Sequence, residues 1–188
     1  MGRLLYMNLM SLDGYISDRG GRFDWAMPDE EVHAAVNDLA RPVGTYLYGR
    51  RLHEVMRVWD DPGFAAGEPG VVRDFSEIWR AADKIVYSTT LTGVDTARST
   101  LERRFEPEAV RRLKARTTAD LAIGGPGLAA PGFSAGLVDE VHLFVAPVAV
   151  GGGTPALPDA RMDLDLTAER RIGRFVYLSY TVRQASRE

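Results

Sequence analysis

The chain has 188 residues, 45% of them hydrophobic and 26% charged, the balance of one globular domain (residues 1–188) and not of a disordered chain. A net charge of −3 argues against nucleic acid or an anionic membrane surface as a partner. The absence of Cys excludes disulfides, thiolate metal sites, iron–sulfur clusters and a cysteine nucleophile, and His33, His53 and His142 are too scattered to suggest a metal centre.

No stretch approaches the ~18 apolar residues of a membrane span, and the apolar N-terminus is too short for a secretory signal, so a cytoplasmic protein is expected. Arg3 to Met10 is a mostly apolar run that predicts a strand buried on both faces. Ser11 to Asp29, rich in Gly, Asp and Ser, reads as a long loop, and a loop of that length suggests function. Pro28 suits the first turn of a helix, with Asp29, Glu30 and Glu31 where the helix dipole favours anions and Val32, Val36 and Leu39 as its apolar stripe. Thr45 to Tyr48 is a short strand ending at Gly49, and Asp60 to Gly70 is a Pro/Gly loop. A short helix over Phe75 to Ala82 precedes strands at Lys84 to Tyr87 and, more weakly, Thr96 to Leu101. Pro107 opens a helix that ends before a strand over Asp120 to Ile123. Gly124 to Gly136 is a glycine-rich turn with a short helix that Pro131-Gly132 cuts short, and Val138 to Val150 is a long strand interrupted at Pro147. Leu164 to Ile172 and Arg174 to Val182 form an antiparallel hairpin around Gly173. Alternating strands and helices followed by terminal β predict a mixed sheet covered by helices on both faces.

Three strand ends carry chemistry suited to an anion. Gly124-Gly125-Pro126-Gly127 would let backbone N–H groups approach a diphosphate at a helix N-terminus. Gly49 is followed by Arg50 and Arg51, whose guanidinium forks suit phosphate oxygens, and Ser88-Thr89-Thr90 closes a strand with hydroxyls. Each is equally readable as a plain turn or a solvated helix start. Residues 125–130 match the loose G-x-G-x-x-A pattern, but they lie too late in the chain, with no acid about 20 residues on, for a doubly wound dinucleotide site.

Six short motifs then occur in order: Ser11-Leu12-Asp13-Gly14, Trp25-x-x-Pro28, Leu47-Tyr48-Gly49-Arg50-Arg51, Ile123-Gly124-Gly125-x-x-Leu128, Gly136-Leu137-Val138-Asp139-Glu140 and Ala146-Pro147-x-x-x-Gly151-Gly152-Gly153. Together they resemble the dihydrofolate reductase-like superfamily, in the branch of stand-alone proteins similar to the reductase domain of bacterial riboflavin biosynthesis. The resemblance spans Leu4 to Tyr180, nearly the whole chain. It implies an α/β fold in three α/β/α layers, with a mixed, mainly parallel sheet and an antiparallel C-terminal hairpin, and it implies NADPH as hydride donor. Carried over by motif, Gly49, Arg50 and Arg51 would approach the adenosine-side phosphates, and Ser88 and Thr89 the 2′-phosphate. Gly124, Gly125, Gly127 and Leu128 would cradle the diphosphate, and Leu9 and Ile16 would border the nicotinamide. Trp25 and Pro28 align Glu30 with a substrate-binding carboxylate that supports protonation, while Glu30 read by itself equally serves the helix dipole. Asp13 is a second catalytic candidate, with a turn role as its alternative.

The sequence departs from the family in places. Leu52 stands where many members have Thr, Ala129 where folate-reducing members have an aromatic residue, and no deaminase domain is expected. His33 and His53 are expected at or near the surface, and His142 on a sheet face. Trp59 and Phe64 could wall a pocket, cover an edge or meet a second subunit, and the aromatic hairpin with Phe175, Tyr177 and Tyr180 fills the core or a homodimer contact. The implied activity is reduction of a small pterin-like or pyrimidine-like substrate at a C=N or related bond. A non-catalytic nucleotide-binding or oligomer-forming module that keeps the fold is the other class left open.

Overall fold

The computed structural model describes residues 1–183. In chain order the first half comprises β1 (Leu4–Ser11), β2 (Tyr15–Asp18), α1 (Glu30–Ala40), β3 (Val43–Gly49), α2 (Arg50–Met56), α3 (Gly70–Ala81), β4 (Asp83–Tyr87) and β5 (Ser99–Glu102). The second half comprises α4 (Pro107–Arg116), β6 (Asp120–Gly124), α5 (Pro126–Ser134), β7 (Glu140–Ala146), β8 (Gly153–Pro155), β9 (Leu164–Ile172) and β10 (Phe175–Val182).

Eight strands make one sheet in the order β5-β4-β3-β6-β1-β7-β10-β9, with β2 and β8 pairing separately. All neighbours from β5 to β7 are parallel, and β10 joins β7 and β9 antiparallel. Alternation along β1 explains its mostly apolar run. Leu4 and Tyr6 enter a core shared with Val110 of α4 and Ala129 of α5, whereas Leu5 enters one shared with Ala40 of α1 and with Phe75, Ile78 and Trp79 of α3. Helices therefore cover both faces, and the three-layer α/β/α arrangement with its closing hairpin is the observed fold. Phe175 and Tyr177 of that hairpin are buried.

Several boundaries differ from the sequence reading. The stretch 11–29 is not one loop: it holds β2 and a short 3-10 turn at Asp24–Ala26. Pro28 lies outside α1, because Asp29 is the N-cap and its carboxylate accepts the Val32 N–H at 2.9 Å. α3 starts at Gly70, straight after Pro69, five residues before the expected Phe75. α5 runs through Pro131 to Ser134, and β7 ends at Ala146 because Pro147 cannot continue the ladder.

Candidate active site

Parallel pairing brings the carboxyl ends of β4, β3 and β6 side by side, with Gly49 opposite Tyr87 and Tyr48 opposite Gly124. The three anion-suited segments of the sequence thus meet at one rim. Arg50 heads α2, donating from Nε to Glu54 at 2.7 Å and from Nη1 to the Thr90 hydroxyl at 3.0 Å, which lays its guanidinium across the end of β4. Arg51 and Thr89 are exposed beside it. Ser88 is more committed: its hydroxyl oxygen accepts the N–H groups of Thr90 and Leu91 at 3.2 and 3.1 Å, closing the turn after β4.

The glycines at this rim have different reasons for being glycine. A Cβ on Gly124 would come within 2.3 Å of Leu52 Cδ2 and 3.2 Å of Tyr48 Cδ1. The Leu that replaces the family's Thr therefore packs onto this strand end, and Gly124 is required by the protein's own packing. Gly125 is the N-cap of α5 at φ +83° and ψ 129°, a backbone conformation open chiefly to glycine. Gly127 faces open space, and a Cβ at Gly49 would lie 3.9 Å from Leu128 Cβ. The N-terminus of α5 therefore stands directly over the end of β3.

Next to this rim the sheet splits. β1 pairs with β6 only from Leu4 to Tyr6, but with β7 from Leu5 to Ser11. The carbonyl of Arg3 accepts the Leu121 N–H of β6 and that of Leu4 the Asp139 N–H just before β7, so alternation turns the main chain of Leu9 towards the side where β6 has ended. The Leu9 side chain, like that of Trp25, packs against the buried cluster that holds Val32, Phe144 and Phe175, and Ile16 is half-buried in β2, just after the turn that follows β1.

Beside the gap lies the start of α1. Trp25 is half-buried, and its Nε1 is buried with no hydrogen-bond partner among the described residues. Glu30 is the exposed first residue of α1 and has no hydrogen bond or ion pair among the described residues. His33, one turn further, is half-buried with its ring centroid 6.0 Å from Trp59 and 5.8 Å from Phe75. Phe64 closes this aromatic group at 5.2 Å from Trp59, which gives those two rings a wall between α1 and the segment after α2. Two open depressions lie on the other side of α2: about 330 Å³ lined by His53, Glu54, Arg57 and residues 91–95, and about 210 Å³ lined by Arg57, Asp60, Asp61, Asp95 and Thr96. Neither includes Leu9, Trp25 or Glu30 in its lining.

Asp13 faces the 150–153 loop. Its two oxygens accept the N–H groups of Val150 and Gly151 at 3.1 and 2.7 Å, and the Ser11 hydroxyl with these amides holds its pKa below the ordinary carboxylate value. His53 is buried, not near the surface, because its Nε2 meets the Thr96 hydroxyl at 3.0 Å under the 88–98 loop. His142 lies on a sheet face as expected, between Tyr177 OH at 2.8 Å and Glu140 at 3.2 Å. Burial lowers the pKa of all three histidines, in each case against the raising effect of nearby carboxylates: Asp74 at His33, Asp95 and Glu54 at His53, and Glu140 at His142. No group of His, Asp and Glu among the described residues is arranged to hold a metal ion, and no helix there is long and apolar enough to cross a membrane.

With this geometry in view, comparison with known proteins is decisive on the family. The RibD C-terminal domain family matches residues 3–174. The chain belongs to that family. The uncharacterised Bacillus subtilis (strain 168) protein YyaP is 26% identical over 165 residues, covering 87% of this chain and 85% of its own. Among solved structures, a Shewanella sp. PV-4 protein provisionally assigned to riboflavin biosynthesis superposes with TM-score 0.75 at 20% identity, over 97% of this chain and 99% of that one. A pyrimidine reductase-like protein of Corynebacterium diphtheriae follows at TM-score 0.65, 13% identity and 98% and 93% coverage. The Thermotoga maritima diaminohydroxyphosphoribosylaminopyrimidine deaminase/5-amino-6-(5-phosphoribosylamino)uracil reductase has TM-score 0.68 at 15% identity, and the match covers 97% of this chain but 57% of that one. These likenesses are of fold.

Proposed function

We propose that the protein is an NADPH-dependent reductase of a small heteroaromatic substrate, pyrimidine-like or pterin-like. The observation that carries this reading is the split between β1 and β6 beside a phosphate-suited rim. One cleft offers amides at the head of α5, the cations Arg50 and Arg51, and an open strand edge at Leu9. The residues fit an anionic dinucleotide: Gly127 leaves open space at the helix N-terminus, where backbone N–H groups and the helix dipole favour a diphosphate. Arg50, Arg51 and Thr89 would hold the adenosine-side phosphates, Gly49, Gly125 and Leu128 would flank the diphosphate, and Leu9 with Ile16 would border the ring. Ser88 would help by shaping its turn, and Gly124 by letting Leu52 seal the floor. NADPH, when bound, supplies the hydride.

The chain's own contribution is to position and to supply a proton. Glu30 is the carboxylate free to accept hydrogen bonds from an amino-pyrimidine edge, and the unpartnered Trp25 Nε1 offers a donor nearby for a substrate oxygen or a water. The discriminating experiment is a thermal-shift titration with NADPH and NADH, followed by NADPH consumption with dihydropterins and aminopyrimidines. Stabilisation by NADPH and turnover that falls in Glu30→Gln at unchanged NADPH affinity are expected. No thermal shift near millimolar NADPH would sink the reading.

A further inference from the structure

Two motifs remain unused by the reductase reading, Ser11-Leu12-Asp13-Gly14 and Gly151-Gly152-Gly153, and the structure sets them against each other. Asp13 accepts the Val150 and Gly151 N–H groups. Around it, the Leu12 N–H donates to the Val148 carbonyl at 2.7 Å and the Ala156 N–H to the Gly14 carbonyl at 2.8 Å. Arg19 Nη2 donates to the Gly151 carbonyl at 3.0 Å, and the Ser17 hydroxyl donates to that of Thr154 at 3.0 Å. The glycines are shaped by this embrace. A Cβ on Gly153 would fall 1.9 Å from the Ser17 carbonyl oxygen, and one on Gly152 would fall 2.6 Å from Arg19 Nε. A glycine loop that bound an anion would aim its amides at open space. Here the Val150 and Gly151 amides already serve Asp13.

We propose that Asp13 is a positioning residue: it fastens the turn after β1 to the 150–153 loop and so fixes Leu9 and Ile16 as the wall of the nicotinamide site. It takes no part in proton transfer. This rests on the reductase reading above. The position asks for a carboxylate because two N–H groups converge on it; Asn would offer one acceptor and turn an NH₂ towards the second donor.

The test uses the full chain with Asp13→Asn, and with Arg19→Met as a milder variant that loosens the same loop from its other side. Amide hydrogen exchange at Val150 and Gly151, NADPH affinity and steady-state kinetics are measured together. In Asp13→Asn, exchange at both amides should accelerate and the KM for NADPH should rise about tenfold, the loss of roughly one charge-assisted bond. The kcat at saturating NADPH and the acidic limb of its pH profile should hold. Arg19→Met should shift KM in the same direction by less. A collapse of kcat at unchanged KM, with exchange unaltered, would make Asp13 a proton donor and overturn the proposal. If the wild type binds no NADPH, the reductase reading fails and the positioning role with it, while the exchange data still report separately whether Asp13 fastens the loop.

Discussion

At the amino ends of the parallel strands, Arg3 pairs with Asp120 at 2.5 Å and with Glu140 at 2.8 Å, and Lys114 of α4 reaches Asp139 at 2.6 Å and the Leu137 carbonyl at 2.6 Å. Asp139 also accepts the Leu4 N–H at 2.6 Å, so β1, β6, β7 and α4 are stitched together at that rim. At the carboxyl ends of the same strands stand Gly49, Gly124, Gly125 and Thr89, and the cations there, Arg50 and Arg51, are exposed. Charge is tied off across several elements at the first rim, whereas at the second Arg50 pairs only within its own helix, with Glu54, and Arg51 has no ion pair among the described residues. On the proposed reading the same sheet divides stability and binding between its two rims, ligands of open α/β sheets gathering beyond the carboxyl ends of the strands.

The contrast is best broken at the stitched rim. Asp139→Ala strands a buried ammonium and a strand N–H, and we expect a loss of about 3 kcal/mol in urea unfolding with NADPH affinity unchanged. Gly124→Ala puts a methyl into Leu52 and should cost about 1–3 kcal/mol. Adding Leu52→Ala to it should recover part of that loss if packing, not a ligand, explains the glycine; equal stability of single and double variants would refute this. Arg50→Ala should invert the pattern, weakening NADPH about tenfold in calorimetric titration. Its stability should change by less than about 1 kcal/mol, because the pair with Glu54 is half exposed.

The smallest effect is one of pH. Burial depresses all three histidines, so the unfolded chain takes up protons first as pH falls through about 6.5. Stability should therefore decline between pH 7 and 5, and His142→Gln should flatten that slope in unfolding curves. Below about pH 4 the stitched rim adds its own loss. Despite its burial, Asp120 is held low by Arg3, so its contribution is present above the unfolded carboxylate value and disappears as the folded group protonates.

Much of this was legible in the residues. Apolar runs located β1, β3, β4, β6 and the closing hairpin, because buried parallel strands and alternating antiparallel ones write themselves in hydrophobic pattern. The pair β2–β8 was not visible: its strands are only four and three residues long, set among Gly, Ser and Asp, and the pairing depends on a backbone approach that only Gly153 permits. α5 runs through Pro131 against local rules because it is tied into the core, with Phe133 edge-on to Tyr6 at 5.3 Å and Gly132 close to Ile123. In the site, the glycines and arginines were found as motifs. Asp13's bond to residues 137 and 138 positions away was not, since a turn Asp looks the same whether or not a distant loop meets it. Nor did spacing reveal that His33 of α1 meets Trp59, which stands 26 positions away beside the Pro/Gly loop.

The three-residue pairing of β1 with β6 has a mechanical meaning as well. It is the shortest ladder in the large sheet, against four between β4 and β5 and seven between β1 and β7. The sheet is thus two rafts, β5-β4-β3-β6 and β1-β7-β10-β9, moored along a short seam at their stitched end. A twist of one raft against the other would meet its least hydrogen-bonded resistance at that seam and would act, at the opposite rim, on the gap beside Leu9.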